Sequence, residues 1–101
     1  MISVVALVRS KPGAAERVRI GLKSLISPTR AETGNIIYVI HESEDPNLFV
    51  SYEQWVSPEA LQNHMQTPYV TEFIAHCADA FAAAPELHTL TLFPSEAAIT
   101  S

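Results

Sequence analysis

His64, Glu53 and His41 are the side chains of this sequence best suited to moving protons, and Trp55, Tyr69, Phe73 and Arg30 those best suited to holding a small molecule. An imidazole titrates at about pH 6.5, so His64 can serve as a general base near neutrality. Helical spacing from Leu61 turns it toward the protein interior, where a structural histidine bonded to a carboxylate or carbonyl would also sit. Glu53 alternates with apolar residues on the strand face it shares with Trp55. A carboxylate placed there can orient a histidine, accept a substrate hydroxyl, or pair with a basic side chain. Trp55 offers a flat surface for stacking as readily as for packing. His41, at the mouth of a hairpin, is either a second proton-transfer group or a turn contact. Arg30 has the donors to anchor an anion, with Glu32 close by as a competing ion-pair partner. Tyr69 and Phe73 follow Pro68 on a helix, where they could wall a pocket or fill the core.

Those residues need elements to position them, and the punctuation of the chain supplies six. Ile2 to Arg9 is a β-branched apolar run that stops at Ser10, Lys11, Pro12 and Gly13, a first strand. From Ala14 to about Arg30, Val18, Leu22, Leu25 and Ile26 recur at helical spacing, although Pro28 can bend or end the helix early. Thr33, Gly34 and Asn35 stop it, and Ile36 to His41 and Leu48 to Val56 form a hairpin around Glu42 to Asn47. A turn centred near Asp45 sets His41 opposite Phe49 and Ile37 opposite Glu53. Alternation then puts Ile37, His41, Phe49, Glu53 and Trp55 on one face, and Tyr38 and Ile40 on the other, with the dimer core. Ser57 and Pro58 cap a second helical stretch carrying Leu61, His64 and Met65. A new cap signal at Thr67 and Pro68 precedes Val70, Phe73, Ile74, Cys77 and Phe81, and Glu86 to Phe93 is a last strand. The order β, α, β, β, α, β predicts an α+β, ferredoxin-like domain over residues 1 to 93, with a tail from Pro94 to Ser101. Two helices cover one face of a four-stranded antiparallel sheet. A second copy is the economical cover for the other face, giving a homodimer with a shared barrel-like core.

Composition removes several classes of function. A length of 101 residues fits one domain, and 48% hydrophobic against 17% charged residues leaves more apolar surface than a monomer needs. The net charge of -5, with no basic stripe, argues against a nucleic-acid partner. No apolar run is long enough to span a bilayer and the first residues lack the pattern of a signal peptide, so a cytoplasmic protein without a membrane partner is expected. The one cysteine, Cys77, has no partner for a disulfide and suits a core position. The four histidines, His76 and His88 among them, do not form close ligand pairs, so no metal site is expected. Neither a glycine-rich phosphate loop nor a nucleophile elbow is present.

Several of these residues also form an ordered pattern. Pro28-Thr29-Arg30-Ala31-Glu32-Thr33-Gly34-Asn35 precedes Tyr38 and His41, Phe49 precedes Glu53-Gln54-Trp55, and Leu61 and His64 precede Gln66-Thr67-Pro68. In this order and spacing the chain resembles the antibiotic biosynthesis monooxygenase family, over about residues 1 to 93 when the element order is included. The resemblance implies a dimeric α+β barrel with a pocket between sheet and helices in each subunit. It further implies quinol oxidation by molecular oxygen without metal or flavin, so no cofactor is expected. The family also holds isomerases of small oxo compounds and haem-degrading enzymes, and a pocket that binds a ligand without chemistry is a third possibility. The haem-degrading branch carries an Asn in strand one and a Trp and a His on the later helix. Val4 to Val8 contains no Asn, His64 stands at the Trp position and Ile74 at the His position, which disfavours that activity. Direct reaction with oxygen needs an electron-rich phenol or enol anion, hence a base, aromatic walls and a few donors. His64, Glu53 and His41 are the catalytic candidates for that chemistry, and Trp55, Arg30, Tyr69 and Phe73 the substrate-binding ones.

Overall fold

In the computed structural model, residues 1 to 93 are described, and the stretch taken as a tail, Pro94 to Ser101, lies outside them. Strand β1 (Ile2–Arg9) leads through Gly13, whose φ of 83° suits a residue without a side chain, into α1 (Ala15–Arg30). Val18, Leu22, Leu25 and Thr29 are its buried stripe. Pro28 lies in the last turn and costs α1 one backbone hydrogen bond there, yet α1 continues through it to Arg30. The hairpin strands are β2 (Asn35–Glu42) and β3 (Leu48–Trp55). The second helical stretch is broken in two, as its second cap signal implied: α2 (Pro58–Met65) and α3 (Pro68–Cys77), the latter ending in a 3₁₀ turn at Ala78–Ala80. Ser57 caps α2 by accepting from the Ala60 N–H at 3.1 Å.

Strand β4 (Glu86–Leu90) stops three residues short of the predicted Phe93. Its last pair is Leu90 with Ser3, and beyond that β1 has almost no chain left to pair with. The sheet order is β2-β3-β1-β4, antiparallel throughout, so β1 and β3 form the centre and each αβ crossover skips one strand. This is the ferredoxin-like α+β fold. Val4, Ala6 and Val8 on β1 meet Phe49, Ser51, Glu53 and Trp55 on β3, all buried under the helices.

The hairpin register differs from the predicted one by a residue. Glu42, not His41, lies opposite Phe49, and Tyr38 lies opposite Glu53. The loop determines this: Ser43 Oγ accepts from the Asp45 N–H and donates to the Leu48 carbonyl, while Asp45 Oδ1 accepts from the Asn47 N–H. A one-residue slip reverses every side chain of a strand. Tyr38 and Ile40 therefore share the helix-facing side with Glu53 and Trp55, and His41 points outward.

Two glycines let elements approach closely. A Cβ on Gly34 would come within 2.5 Å of the Ala60 Cβ, and one on Gly21 within 2.7 Å of the Phe73 ring. Gly34 has no positive φ, so its value is the contact that seats α2, and with it His64, beside the α1–β2 loop.

Candidate active site

Three helix-facing strand residues define the floor of the site. Glu53, only 4% exposed, accepts from Ser51 Oγ at 2.8 Å through one oxygen and from Trp55 Nε1 at 3.0 Å through the other. All three are on β3 at i, i+2, i+4, so strand alternation alone assembles them. The Trp55 indole, completely buried, lies against the His64 ring, tilted by 39° with centroids 4.7 Å apart. Tyr38 presents its ring to the other edge of His64 at 5.7 Å.

His64 projects from the last turn of α2 and is itself buried. Its Nδ1 lies 2.7 Å from Glu32 Oε2. A carboxylate can only accept, so Nδ1 carries the hydrogen. In the neutral form of the ring the lone pair is then on Nε2, which makes no hydrogen bond among the described residues. The Tyr69 hydroxyl donates to the same Glu32 oxygen. Glu32 thus clamps a helix-α2 histidine to a helix-α3 tyrosine from the loop after α1.

Above this floor lies a cavity of about 60 Å³ between sheet and helices. Tyr38, Ser51, Glu53 and His64 are its polar lining, and Val8, Leu22, Phe49 and Phe73 are among its apolar walls. Burial first, and the neighbouring Glu53 charge second, hold the Tyr38 phenol well above its ordinary value. Tyr69 is pushed up to about 12 by burial and then by its bond to Glu32. Both phenols therefore keep their protons at neutral pH and can only donate or accept hydrogen bonds.

The structure brings His64, Glu53 and Phe73 to the cavity; Trp55 packs behind them against His64 and Glu53, and Tyr69 is joined to His64 through Glu32, neither of the two lining the cavity itself. It does not bring His41 or Arg30 to the cavity. His41 is exposed, its Nδ1 3.2 Å from the Val50 carbonyl, and edges a separate surface hollow beside Arg19, Lys23 and Glu42. The corrected register explains its position. Arg30 donates from Nε to the Tyr38 carbonyl at 3.0 Å, so the end of α1 ties to β2 through a guanidinium that faces away from the cavity. Glu32 pairs with His64, not with Arg30. Glu32, Tyr38 and Ser51 are site residues outside the catalytic and binding candidates read from the sequence. The signal for Glu32 is topological: the α1–β2 loop and the end of α2 meet at the same end of the sheet. Cys77 is buried, and burial raises its thiol pKa, which suits packing rather than chemistry. Among the described residues no cluster of His, Cys, Asp and Glu is arranged to hold a metal ion, and no helix is long and apolar enough to cross a membrane.

Comparison with known proteins adds a name to this arrangement. An uncharacterized protein of Synechocystis is 34% identical over 87 residues, covering 85% of this chain but only 59% of that relative. A Mycobacterium tuberculosis protein provisionally named a monooxygenase is 32% identical over 78 residues, 77% of each chain. A solved structure described as an antibiotic biosynthesis monooxygenase superposes with a TM-score of 0.87 at 25% identity, covering 93% of this chain and all of that one. The family model described as antibiotic biosynthesis monooxygenase matches residues 1–76, which carry the whole Glu32, Tyr38, Glu53, Trp55 and His64 arrangement, and on that match the chain belongs to this family.

Proposed function

We propose that this chain is a cofactor-independent monooxygenase that oxidises a quinol or related hydroxylated aromatic with molecular oxygen, residues 1 to 93 acting as its one domain. The observation that carries the reading is the 2.7 Å contact of His64 Nδ1 with Glu32, which as an N–H donation leaves the Nε2 lone pair on a residue lining the cavity. Nε2 takes the proton of a ring hydroxyl, and Glu32 stabilises the imidazolium that forms. Tyr38, which keeps its own proton, donates to the developing oxyanion. Glu53 accepts from a second hydroxyl, and Phe73 and Phe49 flank the ring. Stripped of its proton and shielded from water, the ring is electron-rich enough to reduce oxygen directly. One oxygen atom enters the ring and the other leaves as water. The quinol itself supplies the electrons and emerges as a hydroxylated quinone, so no external reductant is needed.

The reading also includes a homodimer. Val5, Leu7, Ile37, Val39 and Val50 lie on the sheet face away from the helices, none of them fully buried within one chain, which supports a second sheet as their cover.

Oxygen uptake with a panel of quinols tests the activity. His64→Ala is expected to abolish it, and Glu32→Gln to lower kcat by about ten- to a hundredfold through loss of the histidine's orienting partner. Uptake no faster than background with any quinol would overturn the proposal. Turnover that persists without oxygen would replace it with a proton-moving isomerase.

A further inference from the structure

Glu53 brings a carboxylate to the cavity with no lysine or arginine among the described lining residues beside it, and that bears on what the cavity can admit. Both Glu53 oxygens accept hydrogen bonds, as those of a carboxylate do, and both donors, Ser51 and Trp55, are neutral. Among the described residues no lysine or arginine lines the cavity. Arg30 turns away onto the Tyr38 carbonyl, and Arg19 is held by Glu42 and Glu16. A second carboxylate, Glu32, stands directly behind His64. The field of Glu53 is already felt inside the site, since it helps keep the Tyr38 phenol protonated.

We propose that Glu53 is a specificity-determining residue that makes the cavity a charge filter: it admits uncharged hydroxylated rings, whose O–H it accepts, and refuses rings bearing a carboxylate, sulfonate or phosphate. A second anion brought beside a buried carboxylate meets a like charge in a low-dielectric space with no lysine or arginine lining it to offset either. A neutral hydroxyl meets only an acceptor with lone pairs to spare. The inference rests on the cavity proposed above as the substrate site, and it specifies the class of substrate that site takes.

Binding measured without oxygen tests the filter separately from turnover. The probes are hydroquinone, 2,5-dihydroxybenzoate and the methyl ester of the latter, which has the bulk of the acid without its charge, each titrated by calorimetry against the full chain. Hydroquinone and the ester are expected to bind at least about tenfold more tightly than the acid. In Glu53→Gln, which keeps the shape of the side chain and an acceptor for Trp55, the ester-to-acid gap is expected to fall below about threefold. An acid that binds wild type as tightly as the ester overturns the filter, as does an ester excluded along with the acid, since size would then be the criterion. Failure of every probe to bind overturns it too. The wild-type comparison stands even if the variant does not fold. A protein that binds the neutral rings, refuses the acid and consumes no oxygen upholds the filter while refuting the monooxygenase. Equal oxygen uptake with hydroquinone and the acid does the reverse.

Discussion

Tyr38 and Tyr52 sit on neighbouring strands of one sheet and face opposite sides, and their surroundings have opposite effects on the same phenol. Tyr38, under the helices, is raised by burial and by the Glu53 charge. Tyr52, on the outer side, is lowered by hydrogen bonds with Ser3 and Gln54. The contrast extends to the rest of each face. On the outer side Arg9 pairs with Glu86, with the His88 ring 3.6 Å from the same carboxylate, at a solvent-exposed edge. On the helix side Glu53, Ser51 and His64 are withdrawn from water and hydrogen-bonded. Burying polar groups costs stability that an apolar core would not lose. That they gather around one cavity on one face, while the other remains apolar with a polar rim, is the physical ground for proposing chemistry on the inner face and contact with a second copy on the outer.

This division can be broken most forcefully from the inside. Trp55→Ala empties a completely buried site and strips Glu53 of a donor and His64 of its aromatic neighbour. It is expected to cost about 3–5 kcal/mol in urea unfolding; a loss below about 1 kcal/mol would mean that the inner face is less tightly built than described. Leu7→Glu places a charge in the middle of the outer face, opposite Val50 and Glu86. The single subunit is expected to lose less than about 1 kcal/mol, while sedimentation should show a second copy no longer associating. An unchanged sedimentation coefficient would remove the outer face from any interface. The subtlest test uses Tyr69, whose pKa rises on folding from an ordinary 10.0 to about 12. Its contribution to stability is complete below the lower value and is lost as the pH climbs to the upper one. Tyr69→Phe should therefore flatten the alkaline slope of the melting temperature in that window, and an unaltered slope would detach Tyr69 from Glu32.

How much of this could be read from the sequence depends on the range of the signal. Ser57–Pro58, Thr67–Pro68 and the alternation in Leu48–Trp55 are local, and each predicted its helix start or strand. The grouping of Glu53 with Trp55 followed from period two, and the inward turn of His64 from helical spacing. The hairpin register did not follow, because it depends on how Ser43 and Asp45 fold the loop back on itself, and one residue moved Tyr38 into the site and His41 out of it. Glu32 is 32 residues from the histidine it orients, a separation no local pattern spans. Arg30 was drawn away by a backbone carbonyl, an acceptor that sequence does not display.

Trp55 is the only tryptophan in the chain, and its indole lies against the imidazole of His64. The molecule therefore carries its own optical reporter beside the histidine proposed as the base. An imidazolium quenches an indole in contact with it, so the emission of the unlabelled protein follows the protonation of one histidine with no other indole to dilute the signal. A ring entering the cavity changes the same emission. Occupancy and charge at the site can thus be followed in real time, in the wild-type chain, at a single wavelength.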